Sequence, residues 1–353
     1  MSNVSKKMLM AAAGAASSID YPAFIMIYGG SGVKLYAGED NNDVTSSYIS
    51  SPTLVSTAGG MERVSISGTN QRYIGFGSWG RSPAKKGAVA DRGTSNSTWT
   101  QYSNFNVSLP GTGNDSVNRV TPSSDGARVA VHSGNGTDKG IFSFTSPSTE
   151  YGSQPSQFAA AAATTVYFSQ GNYLWTVEET RKWSKFLFTA NTLVHQGTVT
   201  FSGTDEGKPA DGRVTLTSDG TKACTVSKVG IISIVDITGS SASISSTKNA
   251  GFSYSVYGSA ISPDGSKVLI CRNTADRVYV YDVAADTITG QTLKSGWAQA
   301  RADVSWFADN DTYAVTGTSS NSAWVGSASN GGWLYNINSG TSVGGYNIDC
   351  LFS

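Results

Sequence analysis

The stretch SPDGSKVLICRNTADRVYVYDV, residues 262–283, contains one complete structural sentence. The apolar residues Ala260-Ile261 just before it lead into Pro-Asp-Gly, a second apolar run follows, and after a polar break comes the alternating segment RVYVYDV. In such a turn the Asp side chain bonds to the turn amides and Gly adopts a positive φ, so the flanking runs fold back as a tight hairpin. The alternating run then supplies a third strand.

The same grammar recurs in VTPSSDGARVAV, residues 120–131, and in VTLTSDGTKACTV, residues 214–226. The turn aspartates are Asp125, Asp219 and Asp264, with gaps of 94 and 45 residues. The larger gap is twice 47, which demands a degenerate copy between the first two. VYFSQGNYLWTV, residues 166–177, fills that place with Gln170-Gly171 at the turn. VSWFADNDTYAV, residues 304–315, follows Asp264 with Asp309 in the turn, and VSISGTNQRYIGF, residues 64–76, is a weaker upstream copy. GIISIVDI and GIFSF are further third strands, each followed by a weaker fourth. Four strands repeating every 45 to 47 residues is the period of a β-propeller blade.

Seven such blades account for the chain after a 20-residue arm, at about 48 residues each. The seventh is split between the ends. IYGGSGVKLYAG, residues 27–38, has the pattern of second and third strands with no hairpin before it, and GYNIDCLFS, residues 345–353, has that of a first strand with nothing after it. Ser262, Phe307 and Phe352 keep the 45-residue spacing. The expectation is an all-β, seven-bladed β-propeller over residues 21–353. A composite blade closes it, with the innermost strand from the C-terminus, and an arm of residues 1–20 precedes it. Closure of this kind leaves no open edge between the first and last blades.

Composition agrees and narrows the function. Forty glycines among 353 residues, with abundant Ser, Thr and Asn, suit short strands and tight turns, and 39% hydrophobic residues supply a core. Twenty-five basic residues balance 25 acidic ones, which offers no footprint for nucleic acid or an anionic membrane. Lys6-Lys7 followed by the apolar run of residues 8–16 has the outline of a secretory signal. That run is far short of the roughly 20 residues needed to span a bilayer, and it is expected to be a retained arm.

The segment of residues 262–283 resembles the YVTN-type and WD-type β-propellers, and the resemblance extends over about residues 20–353. It implies the fold and little about function, because propellers host hydrolases, lyases, adhesins and scaffolds. Separately, KKMLMAAAGAA, residues 6–16, resembles the short leader of virion proteins of marine tailed phages.

Chemistry is scarce along the chain. GTSVG, residues 340–344, matches the nucleophile pattern around Ser342, but no helix can follow it, so a turn serine is expected. GNGTDKG, residues 134–140, lacks the spacing of a phosphate loop. Glu39, Asp40 and Asp43 cluster without the order of a calcium loop and are expected to form a solvated turn. Cys224, Cys271 and Cys350 are scattered and are expected to be core residues, while His132 and His195 are the only histidines. No catalytic residue, metal or cofactor is expected.

Tryptophans remain. First-to-second turns share one face of the disc, and second-to-third loops and blade connections share the other. By sequence, Trp79, Trp183 and Trp324 fall in second-to-third loops and Trp297 in a blade connection. These four are expected to be partly exposed on the face away from the arm, where a host-surface glycan or protein would meet them. Met8, Leu9, Met10, Ala11 and Ala12 are expected to anchor the arm on another virion protein, of capsid or tail. The resulting expectation is a non-enzymatic virion protein made in the host cytoplasm, a fibre-like appendage for host attachment with no membrane insertion. The alternatives are a capsid-decorating protein without host binding and a lactonase-like or lyase-like propeller enzyme.

Overall fold

A computed structural model describes residues 24–29, 32–37, 42–50, 61–66, 71–78, 86–93, 98–106, 117–133, 139–144, 155–159, 161, 163–169, 173–189, 192–210, 213–253, 256–272, 277–292, 303–316, 322–330, 332–338 and 347–351. The first blade contains β1 (Phe24–Gly29) and β2 (Gly32–Ala37). The second is β3 (Met61–Ile66), β4 (Tyr73–Ser78), β5 (Lys86–Asp91) and β6 (Thr100–Asn106). In the third, the described strands are β7 (Val117–Pro122), β8 (Arg128–Ser133) and β9 (Lys139–Ser143). The fourth blade is β10 (Ala163–Phe168), β11 (Tyr173–Glu178), β12 (Lys182–Thr189) and β13 (Thr192–Thr200). The fifth is β14 (Thr215–Leu216), β15 (Lys222–Val226), β16 (Ile231–Asp236) and β17 (Ser243–Asn249). The sixth is β18 (Val256–Ile261), β19 (Lys267–Arg272), β20 (Arg277–Asp282) and β21 (Thr287–Thr292). The seventh is β22 (Asp303–Trp306), β23 (Thr312–Thr316), β24 (Ser322–Ser327) and β25 (Gly332–Asn338). The last strand, β26 (Asn347–Leu351), returns to the first blade and pairs antiparallel with β1, Ile25 opposite Cys350. Six blades of consecutive strands and one composite blade, ordered β26-β1-β2, make the seven-bladed propeller that the repeat spacing implies.

The turns explain the repeat. In four blades the amide of the fourth turn residue (Gly126, Gly220, Gly265 or Asn310) donates to the carbonyl of the first (Ser123, Thr217, Ser262 or Phe307). The fourth residue has φ of +67°, +66°, +76° and +57° respectively, which favours Gly and tolerates Asn. Asp125, Asp219 and Asp264 each accept a 2.6 Å bond from the Ser or Thr hydroxyl that opens the turn. That hydroxyl also accepts the amide of Arg128, Lys222 or Lys267. Phe307 has no hydroxyl, and there the equivalent amide, of Thr312, bonds directly to Asp309 at 2.7 Å.

Alternation along the strands sends the side chains of each blade to both of its neighbours. The described core therefore divides into seven clusters, one at each blade-to-blade interface. Two of them flank the composite blade. Phe24, Met26 and Leu351 meet Ile74 and Phe76 of the second blade, while Ile25, Ile348 and Cys350 meet Phe307 and Val325 of the seventh. The ring is closed by apolar packing on both sides of β26. Since Phe24 lies opposite Leu351, the last described residue of β26, the chain enters β1 on the face carrying the Asp turns.

Candidate functional site at the channel mouth

The seven first strands run side by side around the axis, and each leaves backbone groups on its inner edge. Short side chains from neighbouring first strands satisfy several of them. Thr121 Oγ1 donates to the Val166 carbonyl at 2.9 Å, Thr215 Oγ1 accepts from the Ile261 amide at 3.0 Å, and Ser305 Oγ accepts from the Cys350 amide at 3.0 Å. Trp306 reaches back, its Nε1 donating to the Ala260 carbonyl at 2.9 Å.

At the mouth opposite the Asp turns, this pattern becomes charged. Asp303 heads β22, and its Oδ2 accepts from the Ile348 amide at 3.2 Å, so it joins the seventh blade to the closing strand. The same carboxylate pairs with Nη1 of Arg213, just before β14. Arg213 Nη2 donates to the Val304 carbonyl at 3.0 Å and lies 3.8 Å from Asp349 Oδ1 on β26. The 45-residue register aligns Arg213, Gly258 and Asp303 in the fifth, sixth and seventh blades. The aligned position of the sixth blade thus carries no side chain where Arg213 reaches across it. The Asp303 side chain is 5% exposed and that of Arg213 20%. A carboxylate that holds a guanidinium and a backbone amide in this way acts as a clasp between blades.

Sequence reasoning overlooked this clasp. Its signal was available in the repeat alignment, which sets opposite charges at equivalent positions of two blades with glycine between.

Two of the four tryptophans are placed differently from expectation. Trp183 lies in β12 and Trp324 in β24, on strands and not in loops, and they are 0% and 7% exposed. Trp183 is covered by the connection of residues 201–210: its Nε1 donates to the Gly207 carbonyl at 2.8 Å, and Tyr167, Trp175 and Phe201 surround its ring edge-on. Trp324 packs with Val278, Val304 and Tyr313 between the sixth and seventh blades. Neither ring is open to a partner, so the expected exposure is corrected for both. Trp79, Trp297, the anchor residues Met8 to Ala12, Ser342, Glu39 and Asp40 lie outside the described residues.

Asp43 takes part in local structure, pairing with Lys34 at 2.9 Å and accepting from the Thr45 amide at 3.1 Å. His132 is buried on β8, and His195 on β13 stands 5.3 Å from the Phe186 ring centre. The three cysteines are free and buried, and burial pushes the Cys224 and Cys271 thiols well above their ordinary value. Among the described residues, no group of three or more His, Cys, Asp or Glu side chains is gathered as a ligand set.

No protein-family model and no curated protein matches the chain. Solved structures do. A protein from Lactobacillus plantarum aligns with a TM-score of 0.62 at 12% identity, over 94% of this chain and 99% of that one. A functionally unknown protein from Desulfotomaculum acetoxidans aligns with a TM-score of 0.60 at 12% identity, over 93% and 98%. The apo form of AztD from Citrobacter koseri aligns with a TM-score of 0.59 at 12% identity, over 94% and 97%. At this identity the likeness is one of fold. The chain is a β-propeller.

Proposed function

We propose that this chain is a non-enzymatic structural protein of a tailed-phage virion, a rigid propeller held on the particle by its N-terminal arm. The rigid ring in this reading is supported by the clasp, in which Arg213 and Asp303 hold blades together. The leader-like stretch at residues 6–16 adds the virion context, and the balance of 25 basic and 25 acidic residues suits a protein–protein setting.

The role splits into a host-attachment appendage and a shell decoration. Burial of Trp183 and Trp324 favours decoration, because two of the four aromatic anchors proposed for a host surface are core residues. Attachment then rests on Trp79 and Trp297.

Immunogold electron microscopy of particles, using an antibody to this chain, tests the reading. Particles assembled with a chain lacking residues 1–18 should carry no label while the deleted protein remains folded and soluble. Label retained on those particles removes the arm as the anchor, and unlabelled wild-type particles remove the virion role.

A further inference from the structure

The fourth and fifth blades meet differently from their neighbours. Their first strands are β10 and the two-residue β14. Among the described residues, no side-chain bond from one of these two first strands reaches the other. The outer part of this seam is tightly joined instead. Gly207 accepts from Trp183 of the fourth blade and donates its amide to Ser233 Oγ of the fifth at 2.9 Å. Lys185 inserts its ammonium among the carbonyls of Ile237, Thr238 and Gly239, the nearest at 2.7 Å.

Strand register shows what lines the inner part. Thr165 stands opposite Val177, and Val177 opposite Trp183, so all three face the fifth blade. Tyr167, two residues along β10, faces the same way, with its ring 6.3 Å from that of Trp183. Thr225 stands opposite Ser233 and, like it, faces the fourth blade. Gly207 bonds to both Trp183 and Ser233, so it ties these two rows into one layer. On that layer Thr165 and Tyr167 stand on the innermost strand of the fourth blade and Thr225 on the second strand of the fifth. All three residues are buried, and none of the three oxygens has a protein hydrogen-bond partner.

A buried hydroxyl with no partner costs its full desolvation, and native proteins rarely leave three on one interface. An internal water makes about three hydrogen bonds to such groups. We propose that the inner seam between the fourth and fifth blades is an ordered-water site held by Thr165, Thr225 and Tyr167, in place of the side-chain bonds that tie other first strands together. The ligand class is water because the donors and acceptors are neutral hydroxyls in an enclosed apolar layer of Trp175, Val177, Ala223 and Val235.

Isosteric substitution separates water-held hydroxyls from orphaned ones. If water bridges them, the Thr165→Val/Thr225→Val variant strands that water, and its Tm falls by several degrees, while Thr165→Ser retains the wild-type Tm. A double variant whose Tm is unchanged or raised overturns the proposal, because removing orphaned hydroxyls relieves a penalty. Should the double variant fail to fold, a high-resolution crystal structure of the wild-type protein decides: density for a water bonded to at least two of the three hydroxyls supports the site, and its absence overturns it.

Discussion

The guanidinium of Arg213, at the head of the fifth blade, pairs with the carboxylate of Asp303, at the head of the seventh, with Gly258 at the aligned position between them. Most contacts in a propeller join a blade to its neighbour; this one skips a blade and reaches the closing strand through Asp303 and the Ile348 amide. Removing the carboxylate takes the acceptor from Nη1 of the guanidinium and from the Ile348 amide, in a poorly hydrated place. Asp303→Ala should cost about 3 kcal/mol, measured by denaturant unfolding, and Arg213→Met somewhat less because its side chain is the more exposed. Combined, the two should cost less than their sum; strict additivity would mean that they do not act as a pair.

Deleting residues 347–353 tests closure. The cut removes Ile348 and Cys350 from the core shared with the seventh blade and Leu351 from the core shared with the second. Two of seven interfaces are opened at once, and β1 becomes an exposed edge. Calorimetry should show a broad, low-temperature transition in place of a single cooperative one. A sharp, unshifted transition would mean that the six blades of consecutive strands are stable without the composite one.

The fold was legible because its signal is local and repeated. An Asp-Gly turn needs only four residues to declare itself, and Asn310 is a chemically sensible substitute for Gly at positive φ. Closure could be read because register is conserved arithmetic: amide-to-side-chain bonds between Ile348 and Asp303 and between Cys350 and Ser305 span the same 45 residues as the turns. The burial of Trp183 and Trp324 is not legible in their own segments. Trp183 is closed off by Gly207, 24 residues later, and nothing in the neighbourhood of Trp183 announces that cover. Trp324 falls inside the Ser- and Asn-rich stretch of residues 318–332, which has the composition of a loop, although β24 begins within that stretch.

Acid should loosen one face first. Burial pushes the Asp219 carboxyl up, but bonds from Thr217 and Thr221 and the charge of Lys222 outweigh it and hold the group below its ordinary value. The same balance holds for Asp264 with Ser262, Ser266 and Lys267, and for Asp311 with Ser327, Ser329 and Lys267. A depressed carboxylate contributes stability that is present above its unfolded value and is lost as pH falls through the folded one. Thermal stability should therefore drop below about pH 4. Asp264→Asn should lower Tm at pH 7 and show a weaker decline into acid. A mutant curve parallel to the wild-type curve would count against the turn as the titrating element.

Trp183 is a structural test of the recognition face. Its ring is enclosed by Tyr167, Trp175 and Phe201, so Trp183→Ala should cost about 3–5 kcal/mol, read as a shift in the denaturant midpoint. Any loss of surface binding in this variant should track the fraction unfolded. Weakened binding by a variant that unfolds at the wild-type midpoint would restore Trp183 to the recognition face.

Gly207 and Gly251 separate backbone strain from packing. Both hold the left-handed conformation, at φ of +65° and +68°. A Cβ on Gly251 meets nothing within 4 Å, whereas one on Gly207 would come within 2.3 Å of the Phe201 ring and 3.2 Å of Trp183 Nε1. Gly251→Ala should cost only the backbone penalty, about 1–2 kcal/mol. Gly207→Ala carries the same penalty, and it also displaces the segment that bonds Trp183 to Ser233 across the seam. It should lower Tm clearly more than Gly251→Ala does, and moving Phe201 away should shift tryptophan fluorescence to the red as Trp183 meets water. Equal losses in the two variants, with unchanged emission, would show that residues 201–210 yield without uncovering Trp183, and the cover over that ring would then be a loose one.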